Sequence, residues 1–201
     1  MAEELRNLRV FAKRGGTIDE ITTYLKDMED AYESLYVFNQ KLELLNPNSE
    51  KYRRFGPWIY EFGFPYLFDT TRSIQENRKL VLPEDRLIIE KVSIQSPGFW
   101  EFLGSLNPLL QIREYLNDRH RRRQDREWRE ETEKQKAILE NQIIQQKLIE
   151  GNNPIIKDRI EILKELGYTQ EEIRQLIWTN VSTPLMQLGK HQDNGLIENA
   201  E

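Results

Sequence analysis

The chain of 201 residues contains no cysteine, and histidine occurs only twice, at His120 and His191. The missing thiols exclude disulfides, thiolate metal sites and a cysteine nucleophile, and they fit a reducing, cytoplasmic location. No cysteine or carboxylate pair stands at metal-ligand spacing beside either histidine, which argues against a metal centre or a catalytic triad. We therefore expect no catalytic residue, no metal and no cofactor, and a protein that is not an enzyme.

Long hydrophobic runs are also missing. No stretch of about eighteen apolar residues occurs, so we expect no transmembrane segment. The first residues show no basic start followed by an apolar stretch, so we expect no secretory signal. Hydrophobic residues make up 38% of the chain and charged residues 31%, so much of the chain must be solvated. The net charge of −5 is mild and argues against a dedicated nucleic-acid binder.

The first half opens with a strand and a helix. Residues 8–13 are a short, partly alternating run that ends before two glycines, which predicts a strand. Thr17 stands three residues before Glu20, the spacing of a capping box, so a helix should begin at Ile18. Its apolar positions follow helical spacing up to residues 46–48, where proline and asparagine should end it. Those positions are Ile21, Tyr24, Leu25, Met28, Ala31, Tyr32, Leu35 and Phe38.

Aromatic residues crowd into residues 55–68, among prolines and glycines that forbid a long regular strand. One interpretation is an ordered loop whose rings cover the core; the other is an exposed patch that docks a partner, a ligand or a membrane surface. The partner-binding candidates of this segment are Trp58, Tyr60, Phe62 and Phe64.

A second strand is predicted over 87–94, with Ile88, Glu90 and Val92 on one buried face. Ser96 and Pro97 fit the cap and first position of a helix, so we expect an apolar helix over 99–116, interrupted near Pro108. We expect that helix to supply a core or a dimer face. Its partner-binding candidates are Trp100 and Phe102.

Two stretches, followed by a long charged helix, resemble part of a known group of proteins. The stretches are Leu82-Pro83-Glu84-Asp85-Arg86-Leu87 and Val92-Ser93-Ile94-Gln95-Ser96-Pro97-Gly98-Phe99-Trp100-Glu101-Phe102-Leu103. Together they resemble a group of uncharacterised bacterial proteins, cyanobacterial ones among them. The resemblance covers about residues 5–130 and implies a strand and a helix, then a strand, a Ser-Pro turn and a helix. It implies no activity.

Residues 118–136 are almost devoid of apolar side chains and predict a solvated helix whose acidic and basic residues pair four apart. The alternative is a nucleic-acid or anionic-surface contact. Its candidates are Arg119, Arg121, Arg122, Arg123 and Arg126. Trp128 is a further partner-binding candidate, and an apolar stripe over 138–149 is long enough for only about two heptads of a coiled coil.

Two short helices are predicted after Pro154. Gly167 should end the first in a left-handed cap, and Thr169 with Glu172 forms a second capping box. This pair resembles small helical peptide-binding modules, a generic likeness from which no function follows. From Ser182 onward the chain is polar, and we expect a frayed tail.

The sequence thus predicts a helix-rich α+β protein with a small N-terminal sheet packed on helices. The expected parts are an α+β domain (1–116), a long charged helix (117–150), a helical hairpin (151–181) and a flexible tail (182–201). The leading hypothesis is a non-enzymatic adaptor or scaffold that self-associates or docks a protein partner through the apolar helix and the long helical arm. A nucleic-acid or anionic-surface binder is the second hypothesis, and an enzyme with an unrecognised carboxylate site is the third.

Overall fold

The computed structural model describes residues 5–45, 49, 53, 81–93, 98–127 and 154–201. It confirms the α+β class: a four-stranded antiparallel sheet packs against helices. The elements in chain order are β1 (Leu5–Ala12), α1 (Ile18–Leu45), a 3-10 turn (Pro83–Asp85), β2 (Ile88–Ser93), β3 (Gly98–Ser105), α2 (Leu106–Glu127), α3 (Pro154–Glu165), α4 (Gln170–Ile177), a π-helical turn (Trp178–Ser182), α5 (Thr183–Asp193) and β4 (Ile197–Ala200). The sheet order is β2-β3-β1-β4.

The core lies between one face of this sheet and the helices. Leu8 and Val10 of β1 alternate with outward-facing neighbours, as do Trp100 and Phe102 of β3, and all four are buried. Tyr24 of α1 contacts the rings of Trp100 and Phe102, at centroid distances of 5.0 Å and 6.4 Å. Helix α1 is buried continuously from residue 31 to 39, so it lies at the centre of the fold.

The predicted start of α1 is confirmed. The backbone N–H of Glu20 donates to Thr17 Oγ1 at 3.2 Å, and the N–H of Thr17 donates to Glu20 Oε2 at 2.9 Å. Arg14 adds an ion pair to Glu20 at 2.5 Å. This guanidinium, together with the Thr17 N–H, lowers the pKa of Glu20 from 4.5 to about 2.

A pH-dependent loss of stability should follow from this lowered pKa. The carboxylate of Glu20 stabilises the folded state above its unfolded pKa of 4.5, and that contribution disappears as the pH falls towards about 2. We expect Glu20→Gln to lower the urea midpoint at neutral pH, and the difference from the wild type to shrink across this window. Glu161→Gln, at an exposed position in the middle of α3, is the control. A difference that stays constant with pH would contradict the assignment.

The apolar helix predicted over 99–116 is confirmed from Leu106 onward, where α2 begins, but it is wrong before that residue, because residues 98–105 form β3. The cap assigned to Ser96 lies outside the described residues. Trp100 and Phe102 point into the core while Phe99, Glu101 and Leu103 are half-buried on the other face, a period of two that dense apolar residues concealed. Pro108 does not interrupt the following helix. It lies in the first turn of α2, where proline is tolerated.

The C-terminal helices begin as predicted. Gly167 adopts a φ of +85°, in the left-handed region, and the Thr169–Glu172 capping box is present. Together they produce the tight connection between α3 and α4.

The frayed tail is also wrong, because residues 183–193 form α5 and residues 197–200 form β4. Backbone hydrogen bonds join Arg9 and Glu201 in both directions, at 3.0 Å and 2.9 Å. His191 is buried, and its Nε2 lies 2.7 Å from Asp27 Oδ2 of α1. The segment is polar in composition, yet Leu185, Leu188, Leu196 and Ile197 are all buried in the core, which the composition could not show.

Candidate interaction surface

Strand β2 forms one edge of the sheet, with β4 at the other edge, and β2 is exposed on both faces. Exposed large hydrophobic side chains number seven in the described part of the chain, and three of them belong to this six-residue strand. Ile88, Ile89 and Val92 are 50%, 45% and 47% exposed. The expectation that this strand buries one face was therefore wrong. In the described chain, β3 and β1 each bury one face, and no strand pairs with the outer edge of β2.

An irregularity in the middle of β2 changes which way its side chains point. Ile89 pairs with Phe102 and Lys91 pairs with Glu101, so Glu90 is an extra residue in the ladder. Glu90 Oε2 accepts a hydrogen bond from Asn7 Nδ2 at 2.7 Å, and the same amide reaches Glu101 Oε1 at 3.2 Å. Glu90 and Lys91 therefore share the sheet face that points away from α1, whereas a regular strand would place them on opposite faces.

Charged groups continue across that outer face. Arg9 of β1 pairs with Glu101 of β3 at 3.0 Å and with Glu201 beyond β4 at 3.2 Å, and its guanidinium lies 4.7 Å from the centroid of the Phe99 ring. The hydrogen bond from Arg9 is the main cause of the lowered pKa of Glu101, and Lys91 lowers it further. The arginine's own pKa is raised by the same contact. The outer face is thus a row of paired charges that ends at the edge strand.

Helix α1 holds the turn that precedes β2. Tyr32 Oη donates to the backbone oxygen of Asp85 at 2.7 Å, and Tyr36 Oη donates to its carboxylate at 2.7 Å. Both tyrosines are buried, so the turn before β2 is fixed to the central helix. The start of the exposed strand is therefore fixed in position by hydrogen bonds from α1.

The predicted partner-binding residues fall into two groups. Trp58, Tyr60, Phe62, Phe64 and Trp128 lie outside the described residues. Trp100 and Phe102 lie in the core, with only 6% and 1% of their surface exposed, so in this fold they offer no face to a partner. The prediction had them on an apolar helix that supplies a core or a dimer face; they lie on strand β3 instead, buried in the core under α1.

Four of the five arginines proposed for nucleic-acid contact have partners inside the chain. Arg119 pairs with Asp193 at the end of α5, and Arg122 pairs with Asp118 at 2.6 Å. Arg123 donates to the backbone oxygen of Gln192. Two of these contacts attach α2 to the C-terminal end of α5, where cations complement the helix dipole. Arg121 is exposed and donates to the backbone oxygen of Asn117, and the side chain of Arg126 lies outside the described part.

A small cavity of about 80 Å³ lies between α2, α5 and β4. Its lining mixes cationic, neutral and acidic groups, Lys13, Arg123, His120 and Glu198 among them. Arg123 of this lining is already engaged at the end of α5. In the described ranges there is no cluster of three or more residues suited to hold a metal ion.

Searches for related proteins add no further guide. No family model matches the chain, and neither a curated protein nor a solved structure is significantly similar to it. The resemblance to a bacterial group therefore stays a prediction. Among the described residues, no helix is both long and apolar enough to cross a membrane.

The β2 edge is the surface that sequence reasoning missed. A signal was present: Ile88 and Ile89 are adjacent, so one of them had to face away from the buried side of any regular strand. The adjacent pair Glu90-Lys91 was a second signal, since charges on a strand are typical of sheet edges.

Proposed function

We propose that this protein is a non-enzymatic interaction or assembly protein, and that it docks a partner by adding a strand to the outer edge of β2. The observation that carries the proposal is the exposure of Ile88, Ile89 and Val92 on both faces of an outermost strand. Edge strands expose unpaired backbone N–H and C=O groups, which a partner strand can satisfy, while side-chain pockets give specificity.

The edge offers a partner strand both apolar and charged contacts. Glu90 and Lys91 lie at the middle of β2, with Ile88 and Ile89 before them and Val92 after them, so apolar burial and charge pairing are available along one edge. The start of β2 is held in place because Tyr32 and Tyr36 bond to the turn before it. Binding therefore requires little ordering of the β2 side of the contact, which lowers its entropic cost.

The nucleic-acid hypothesis has no comparable support. Arg119, Arg122 and Arg123 are occupied by contacts within the chain: Arg119 and Arg123 hold α2 to the end of α5, and Arg122 pairs with Asp118 within α2. Nothing in the described residues favours the carboxylate enzyme either, and we propose neither.

Site-specific photo-crosslinking tests the proposal. We expect a photoreactive phenylalanine analogue at position 89 to give covalent adducts in the cells that naturally produce the protein. The same probe at position 18 is the control, since Ile18 is 87% exposed but lies at the start of α1. Adding Val92→Lys should reduce the adducts from position 89, because a lysine on the edge disfavours strand addition. Equal adduct yields from positions 18 and 89 would contradict the proposed docking edge.

A further inference from the structure

We infer that the strand added to β2 belongs to a second copy of this chain, paired antiparallel about a two-fold axis between Glu90 and Lys91. This inference rests on the proposed function and names its partner. The evidence is the self-complementary order of charges and apolar groups along β2, together with the irregularity that places them on matching faces.

The charges determine the register. With the axis between Glu90 and Lys91, each Glu90 lies opposite Lys91 of the second copy, which gives two opposite-charge pairs. Moving the axis onto Glu90 places two carboxylates opposite each other, and moving it onto Lys91 does the same with two ammonium groups. Only the first arrangement among these three avoids directly opposed like charges.

The faces agree with this register because of the extra residue in the ladder. Side chains of directly opposed residues must point to the same face of a sheet. In a regular strand Glu90 and Lys91 would point to opposite faces, and the pairing between them would fail. Here Glu90 accepts a hydrogen bond from Asn7, and Lys91 lies directly opposite Glu101 in the ladder with β3, so both side chains lie on the outer face.

The apolar residues pair in the same register. Ile89 and Val92 lie opposite Phe102 and Trp100 in the β3 ladder, so both point towards the α1 side. In the two-fold arrangement each Ile89 contacts Val92 of the second copy on the α1 side of the sheet. On the outer face, each Ile88 contacts Ser93 of the second copy. The pairing would cover the exposed side chains of both copies and join two four-stranded sheets into one of eight.

The contact should be weak. A six-residue edge buries well under the ~1,200 Å² of a standard stable interface. We therefore expect reversible dimers whose population rises over concentrations from about 10 μM to about 1 mM. Sedimentation equilibrium of the full chain should show an average mass that rises from one chain towards two across this range.

Charge reversal provides the decisive comparison. E90K and K91E each place like charges opposite one another in the dimer, so each should raise the dissociation constant about tenfold or more. The double variant E90K/K91E restores opposite charges and should dimerise like the wild type. An equimolar mixture of E90K and K91E should also dimerise, because each acidic strand then faces a basic one. Circular dichroism checks that the variants fold, since both positions are exposed.

Each failure has a distinct meaning. A wild-type mass of one chain at every concentration, or a mixture of E90K and K91E that stays monomeric, overturns the two-fold pairing. If position 89 then still gives adducts with a different protein, the docking edge stands and only its partner is wrong. If neither dimers nor position-specific adducts form, both proposals fail, and the lysine and the irregular ladder serve to protect a bare edge.

Discussion

Replacing Ile197 with alanine should destabilise the protein by about 2–5 kcal/mol, the usual cost of removing most of a buried isoleucine. Ile197 begins β4 and is only 1% exposed, and its backbone lies opposite Ala12 of β1. The cavity cannot close easily, because both flanks are held. On one side Lys13 N–H donates to the oxygen of Leu196 at 3.1 Å, and on the other the N–H of Ala200 donates to Asn117 Oδ1 at 2.9 Å.

Ile18→Ala is a matched control for this substitution. The residue type and the change are the same, but Ile18 is 87% exposed, so the free energy of unfolding should change by no more than about 0.5 kcal/mol. Urea unfolding monitored by tryptophan fluorescence gives both values. Equal effects at positions 197 and 18 would show that the C-terminal strand contributes nothing to the folded core.

Introducing a methyl group at Gly104 should destabilise the protein by about 1–3 kcal/mol through overpacking. A Cβ at this position would lie 2.8 Å from Cε2 and 3.0 Å from Cζ of the Tyr32 ring. The ring cannot move aside, because it is fully buried and its hydroxyl accepts from the Ser105 N–H at 2.9 Å while donating to Asp85. Moving it would break the contacts that hold the turn before β2.

Two controls separate this steric effect from a loss of glycine flexibility. Gly15→Ala should be close to neutral, because nothing lies within 4 Å of a Cβ built there. In a Tyr32→Leu background the obstructing ring is gone, so Gly104→Ala should cost less than in the wild type, a coupling of neighbouring sites. Fully additive effects would place the cause elsewhere than in the contact between Gly104 and Tyr32.

The predictions that failed over residues 98–105 and 183–200 have a common physical cause. Residues 98–105 contain enough apolar side chains to satisfy both a helical and a strand period, and only pairing with β1 and β2 decided between them. Residues 183–200 are polar on average, yet Leu188, Leu196 and Ile197 each find a place in a core built by distant elements. Local periodicity cannot report contacts whose partners lie many residues away.

The candidate site could be predicted only in part from the sequence. A strand with adjacent isoleucines and adjacent opposite charges could be read directly from residues 88–91. Its outermost position in the sheet depends on β3 pairing with both β1 and β2, a long-range arrangement that leaves β2 with one open edge. Without that position, Ile88 and Ile89 are indistinguishable from core residues.

The sequence by itself determined the local features of this protein. Strand β1, the start of α1, the left-handed glycine after α3 and both capping boxes follow from residues within a few positions of one another. The tertiary structure alone decided that β4 completes the sheet and that α2 is attached to the end of α5 through Arg119 and Arg123. The reason is distance along the chain: caps and turns are satisfied by neighbouring residues, whereas burial and strand order depend on which remote segments compete for the same surface.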